Sequence, residues 1–180
     1  MTKTPRFHVL AIGNAIVDVM AFTKDEFIAE QGLIKGGMML IDADRATSLY
    51  GEMGPAQEIS GGSAANTLAG MAAMGCTCAF VGQTAKDQLG EVFGHDLRAL
   101  GITFETPVRD DADVPTARCL ILVTPDGQRT MNTFLGASQF LPAQAIDTQA
   151  IADSAILYLE GYLWDPEEPR AAMRAAIDAA

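Results

Sequence analysis

Residues 60–101 read SGGSAANTLAGMAAMGCTCAFVGQTAKDQLGEVFGHDLRALG, and the alternation inside this stretch decides the fold class. Gly61-Gly62 precedes a small-residue run from Ser63 to about Met74 that reads as a helix, with Gly75 in the usual C-terminal role. TCAFVG (77–82) follows as a buried strand. Asp87 then sits where an N-cap belongs, and Leu89, Val92, Phe93, Leu97 and Leu100 recur at helical spacing until Gly101 closes the helix. The pattern resumes with AILYLE (155–160) as a strand and an alanine-rich helix over 167–179. Strands alternating with helices predict an α/β layer with a mostly parallel sheet.

Working outward, Phe7 to Ile12 and Ile16 to Phe22 are apolar runs that read as a strand, a tight Gly13-Asn14 turn and a continuing strand. Residues 42–53 predict a helix with Asp42 as its cap. Residues 116–124 and 129–134 flank Pro125-Asp126-Gly127-Gln128, and the Asp-Gly dipeptide predicts a hairpin. That hairpin does not fit the alternation, nor do the extended pieces near 35–41, 56–60 and 104–109. Together with 116–135 they suit a small β appendage laid against the main sheet. No repeat or Ser/Gly linker interrupts the chain, so residues 1–180 read as one unit. The last helix reaches Ala180 without a capping signal or a following strand, an ending that reads as a cut.

The chain carries 12 basic against 23 acidic residues, a net charge of -11. Nucleic acid and anionic membranes demand a basic face, so neither is expected as a partner. A phosphate can still be held locally by backbone N–H groups. Cys76, Cys78 and Cys119 are an odd set, read as free thiols in a reducing compartment. Cys76 and Cys78 are expected to share one face of a strand and pack. The N-terminus has no secretory h-region, and no run approaches the length of a bilayer span. The expected location is the cytoplasm.

Four stretches could carry chemistry. Gly13-Asn14-Ala15-Ile16-Val17-Asp18 lacks the G-x-G-x-x-G dinucleotide pattern. It leaves an Asn and an Asp behind a strand-borne Gly. A carboxylate has about four acceptor sites and can take two hydroxyl donors, which suits a vicinal diol; the plain alternative is a turn-capping or solvated Asp18. Ser60-Gly61-Gly62-Ser63-Ala64-Ala65-Asn66 lets a ligand approach the backbone at a helix start, and Asn66 can read a hydroxyl as donor or acceptor. The plain alternative there is a Ser-capped helix after a flexible turn. Asp87 and Asp126 are accounted for by a helix cap and an exposed turn, and a lone Arg129 by solvation. His8 and His95 stand far apart without metal-ligand spacing, and neither G-x-S-x-G nor a P-loop occurs.

In this order and spacing the motifs resemble the ribokinase (PfkB) carbohydrate kinase family, over nearly the whole chain. The resemblance rests on Gly13 to Asp18, Lys35-Gly36 before Leu40-Ile41-Asp42, Gly61 to Asn66, and Gly75…Val81-Gly82…Asp87-x-x-Gly90…Leu97…Leu100-Gly101. Asp126-Gly127-x-Arg129-Thr130 and Gly136-Ala137 complete it. It implies a ribokinase-like three-layer α/β/α fold with a β-sheet lid, here the N-terminal, substrate-binding part, with lid segments near 35–41, 56–60, 104–109 and 116–135. By the same resemblance Asn14, Asp18, Gly61, Gly62, Ser63 and Asn66 would hold the substrate, and Met38, Leu40, Phe134 and Gly136 would cover it. Ser63, where ribokinases proper carry Lys, and Asn14 tilt the expected substrate toward a nucleoside, adenosine first, with ribose, fructose or another sugar behind it.

The family's glycine-rich D-T-x-G-A-G-D motif, which supplies the anion hole and the catalytic base, does not occur in these residues, nor does its N-x-x-E motif. No catalytic residue is therefore assigned; the base is expected beyond residue 180. The resemblance implies ATP and Mg2+ for the family enzyme, with K+ as a further candidate, and a homodimer through the lid. The expected function is an ATP-dependent phosphotransferase acting on a sugar or nucleoside hydroxyl, with this chain alone inactive. The alternative from another class is a catalytically inert sugar- or nucleoside-binding or interaction module.

Overall fold

The computed structural model describes residues 4–110 and 113–180. Strand β1 (Phe7–Ile12) ends at Gly13, and β2 (Ile16–Phe22) begins three residues later in a different sheet. The continuing strand expected here is therefore two strands joined by a change of layer. Gly13 explains the bend: a Cβ there would lie 2.6 Å from the Ala64 Cβ and 2.7 Å from Glu160 Oε2, so only glycine lets the chain turn that closely past its neighbours.

The remaining strands are β3 (Met38–Leu40), β4 (Ala56–Gly61), β5 (Cys78–Val81), β6 (Thr103–Phe104), β7 (Ala117–Val123), β8 (Arg129–Phe134) and β9 (Ser154–Leu159). The main sheet has the order β6-β5-β1-β9 and all its pairings are parallel. The second sheet has the order β3-β8-β7-β2-β4, with an antiparallel β7–β8 hairpin and β2 parallel to β7. The helices are α1 (Asp25–Glu30), α2 (Ala43–Glu52), α3 (Ser63–Ala73), α4 (Gln88–Ala99), α5 (Thr148–Ala152) and α6 (Glu167–Ala179).

Helices α3 and α4 pack on one face of the main sheet, where Val9, Ala11, Leu68, Phe80, Phe93 and Leu97 are buried together. Helices α5 and α6 cover the other face around Leu10, Ile12, Ile151, Ala172 and Met173. This gives the expected α/β/α layering. Val17, Val19, Leu120 and Leu122 turn the inner face of the second sheet into the first of these cores, so the second sheet is built onto the main domain.

One lid assignment needs correction. Thr103 and Phe104 pair with Ala79 and Phe80 in the main sheet, and Arg109 bridges to Ala85, so 104–109 does not join the second sheet. The cause is aromatic packing: Phe104 meets Phe80 and Phe93 at centroid distances of 6.0 and 5.4 Å, and the ring cluster draws the segment inward. The other three segments, 35–41, 56–60 and 116–135, contribute strands to the second sheet. Of the cysteine pair only Cys78 lies on a strand; Cys76 packs from the preceding turn.

Asp87 fastens the layers together. Its Oδ1 accepts from Gly90 N–H at 2.8 Å as the cap of α4, and from the Thr116 hydroxyl at 2.6 Å; its Oδ2 accepts from Thr116 N–H at 2.8 Å, just before β7. Asp87→Ala removes the cap and leaves the Thr116 amide unpaired. The expected loss of stability is about 2 kcal/mol, read as a lower urea midpoint with an unchanged slope.

Candidate functional site

The change of layer at Gly13 and the end of β4 bring the two leading sequence motifs together. Asp18 lies in the middle of β2, directly opposite Ile59 of β4 and Cys119 of β7. Its carboxylate hangs over Gly61: a Cβ on that glycine would come within 2.3 Å of Asp18 Cγ. Gly62 follows with φ +90, a conformation that favours glycine, and a Cβ there would lie 2.9 Å from the Asn14 carbonyl oxygen. Helix α3 then starts at Ser63 without a side-chain cap, and Asn66 stands exposed one turn in.

Burial pushes the Asp18 pKa above its ordinary value of 3.8, with the Arg129 charge pulling the other way. Among the described residues no side chain or backbone N–H donates a hydrogen bond to it. Partial burial of a carboxylate that takes no protein donor raises the cost of its charge, and the hydroxyl groups of a ligand could supply donors to it. The turn-capping alternative for Asp18 does not hold, since the residue sits inside a strand rather than at a turn.

Glu160, just after β9, carries no motif that singles it out in the sequence. It is buried, and its carboxylate accepts from the Asn14 backbone N–H, from Asn14 Nδ2 at 3.3 Å and from the Ser63 hydroxyl. Its own N–H donates to the Ile12 carbonyl at 2.9 Å. One side chain thus fixes the Gly13-Asn14 bend and the start of α3, and the Ser63 hydroxyl is turned onto Glu160. The available signal was a carboxylate closing an otherwise apolar strand, AILYLE, just before Gly161.

The register around Asp18 shows what faces it. Leu40, Thr133, Cys119, Asp18 and Ile59 form one row across five strands, on the face turned away from the core. The next row holds Met38, Met131, Ile121 and Met20. Leu40 and Met38 are 60% and 61% exposed, so one carboxylate stands at the rim of an apolar shelf. Burial pushes the Cys119 thiol up to about 11, and the Thr133 hydroxyl lies 3.3 Å from its sulfur. Cys119 therefore stays neutral beside Asp18. Phe134 opposes Arg118 instead, with the guanidinium 5.9 Å from its ring, and so falls on the other face of the pleat. Gly136 is buried at a corner where a Cβ would meet the Pro115 carbonyl at 2.3 Å.

The pfkB family carbohydrate kinase model matches residues 31–180. The chain belongs to the pfkB family of carbohydrate kinases. An adenosine kinase from Sinorhizobium meliloti is 51% identical and superposes with a TM-score of 0.88, over 97% of this chain and 53% of that one. A probable sugar kinase from Rhizobium etli CFN 42 is 45% identical with a TM-score of 0.86, over 98% of this chain and 54% of the other. The guanosine-inosine kinase of Escherichia coli (strain K12) is 27% identical over 181 residues, covering 93% of this chain and 40% of its own length. This pfkB-family chain thus spans about half the length of these kinases or less. No helix among its described residues is long and apolar enough to cross a membrane.

Proposed function

We propose that this chain holds the nucleoside of an ATP-dependent nucleoside kinase, with adenosine the leading substrate, and acts in the cytoplasm. The observation that carries this reading is the Asp18 carboxylate seated over Gly61 at the edge of an apolar shelf. The carboxylate suits a ribose diol and the shelf suits a flat, largely apolar base, a pairing that a bare sugar would use only in part. Asn14, Gly62, Ser63 and Asn66 belong to the same reading as substrate contacts, and Leu40 and Met38 would extend the shelf over which the base lies. Three free thiols support a reducing compartment.

ATP, Mg2+ and K+ belong to the proposal through the family alone. Among the described residues no three His, Cys, Asp or Glu side chains converge as a metal site, so these residues do not form one, and no step is routed through nucleotide or ion. What this chain's residues do is bind and orient the acceptor. A homodimer through the second sheet is part of the same reading; Phe22, 81% exposed on the same face as Met38 and Leu40, supports it.

The test is thermal stabilisation of the purified chain by adenosine, inosine, ribose and fructose at equal concentrations. A larger rise with adenosine than with ribose is expected. Equal shifts would remove the nucleoside preference. Saturable nucleoside binding, with no ATP-dependent phosphorylation by the complete protein that carries this chain, would favour a binding module over a kinase.

A further inference from the structure

We infer that Asp96, on α4 where the helix meets β4, is a positioning residue for the substrate cradle. The inference rests on the nucleoside-binding reading above and adds a residue that touches no substrate.

Strand β4 is an edge strand of the second sheet, so alternate N–H groups of its outer side have no ladder partner. Ser60 is one of these, and it immediately precedes Gly61 and Gly62. Its N–H donates to Asp96 Oδ2 at 2.8 Å, while Oδ1 lies 3.3 Å from His95 Nδ1. The cradle glycines have no side chains through which packing could fix them. Their backbone is set by the β2 ladder on one side, where Ile16 opposes Gly61 and Val17 opposes Ser60. On the other side the anchor is Asp96.

The anchor is rigid because α4 is. Phe93 and Leu97, on either side of Asp96 in sequence, are fully buried in the core, and Asp87 caps the helix and grips Thr116. Asp96 therefore transmits the position of a core helix to the backbone beneath Asp18. Since Gly61 approaches the Asp18 carboxylate more closely than any Cβ would allow, a small drift of β4 changes the alignment of backbone and carboxylate at the diol.

The experiment compares wild-type chain with Asp96→Ala and Asp96→Asn. Adenosine affinity is read by calorimetry, stability by melting temperature, and Ser60 and Gly61 amides by hydrogen exchange. Alanine in mid-helix favours the fold locally, so folding is expected to survive; should it not, Asp96→Glu, which displaces the carboxylate by one methylene, replaces it. Asp96→Ala is expected to weaken adenosine binding about fivefold, the equivalent of one lost hydrogen bond. Ser60 exchange should quicken about tenfold or more in the ligand-free protein. Asp96→Asn, whose amide oxygen still accepts from Ser60, restores both within about twofold. Unchanged affinity in Asp96→Ala, equal weakening in both variants, or unaltered Ser60 exchange each overturns the inference. Wild type that binds no nucleoside overturns the functional reading instead, and the exchange arm then decides the positioning role by itself.

Discussion

On the proposed nucleoside reading, Asp18→Ala is expected to lower adenosine affinity by more than about tenfold and to leave the fold intact. A carboxylate accepting two hydroxyls contributes two charge-assisted hydrogen bonds, each about 1.5–3 kcal/mol, and tenfold corresponds to about 1.4 kcal/mol. Stability moves the other way. Asp18 is half-buried and, among the described residues, takes no hydrogen-bond donor, so ionising it costs more in the folded chain than in the unfolded one, and its pKa is raised. Wild type therefore loses stability as pH climbs from the ordinary value of 3.8 toward the raised one, and the loss is complete above it. Asp18→Asn removes this pH dependence. The stability gap between Asn variant and wild type should grow in the Asn variant's favour across that window and level off at neutral pH, while adenosine binding stays weak. Calorimetric titration at neutral pH and urea melts at several pH values check both halves. Unchanged affinity in Asp18→Ala would leave the carboxylate without a ligand role.

The parts of this architecture that were legible in the sequence are those written in local chemistry. Asp42 and Asp87 cap the helices assigned to them, with Asp42 Oδ1 accepting from Arg45 N–H at 2.8 Å. Gly75 and Gly101 end their helices with φ +88 and +77, and Asp126-Gly127 makes the hairpin between β7 and β8. Periodicity could not show which sheet a strand joins. The run through Gly13 looks continuous because both of its strands are apolar, and only the packing of Ala64 and Glu160 against Gly13 separates them. The segment 104–109 reads as lid for the converse reason: a short extended piece carries no usable period, and Phe80 and Phe93 decide the place of Phe104. The short helices α1 and α5, of 6 and 5 residues, fell below what a 3.6-residue pattern resolves. In the candidate site, Asp18, Gly61 and Gly62 were legible as residue types that the proposed diol cradle would use. Asp96 and Glu160 were not. Each acts on backbone N–H groups far away in sequence, 36 residues from Asp96 to Ser60 and 146 from Glu160 to Asn14, and no spacing rule connects them.

Glu160→Ala is expected to destabilise the fold strongly. The Asn14 N–H is buried and has Glu160 as its acceptor, so truncation strands a buried donor at a cost of about 1–3 kcal/mol. The Ser63 hydroxyl loses its partner at the same time, and the vacated space lies against Gly13, where the close approach of Ala64 resists collapse. A total of about 3 kcal/mol corresponds to a fall in melting temperature of roughly 6–12 °C for a chain of this size. Gln is the informative partner variant. Its oxygen can accept from Asn14 N–H while its NH2 donates to the Ser63 hydroxyl, so Glu160→Gln should stay within about 1 kcal/mol of wild type. Adenosine affinity should follow the same order, because Glu160 ties the bend before β2 to the helix start after Gly62, and Asp18 and Gly61 lie between these two points. Equal melting temperatures for the Ala and Gln variants would show that the hydrogen bonds to Asn14 and Ser63 do not hold the bend. A destabilised Ala variant with undiminished affinity would separate the bend from the cradle it is argued to position.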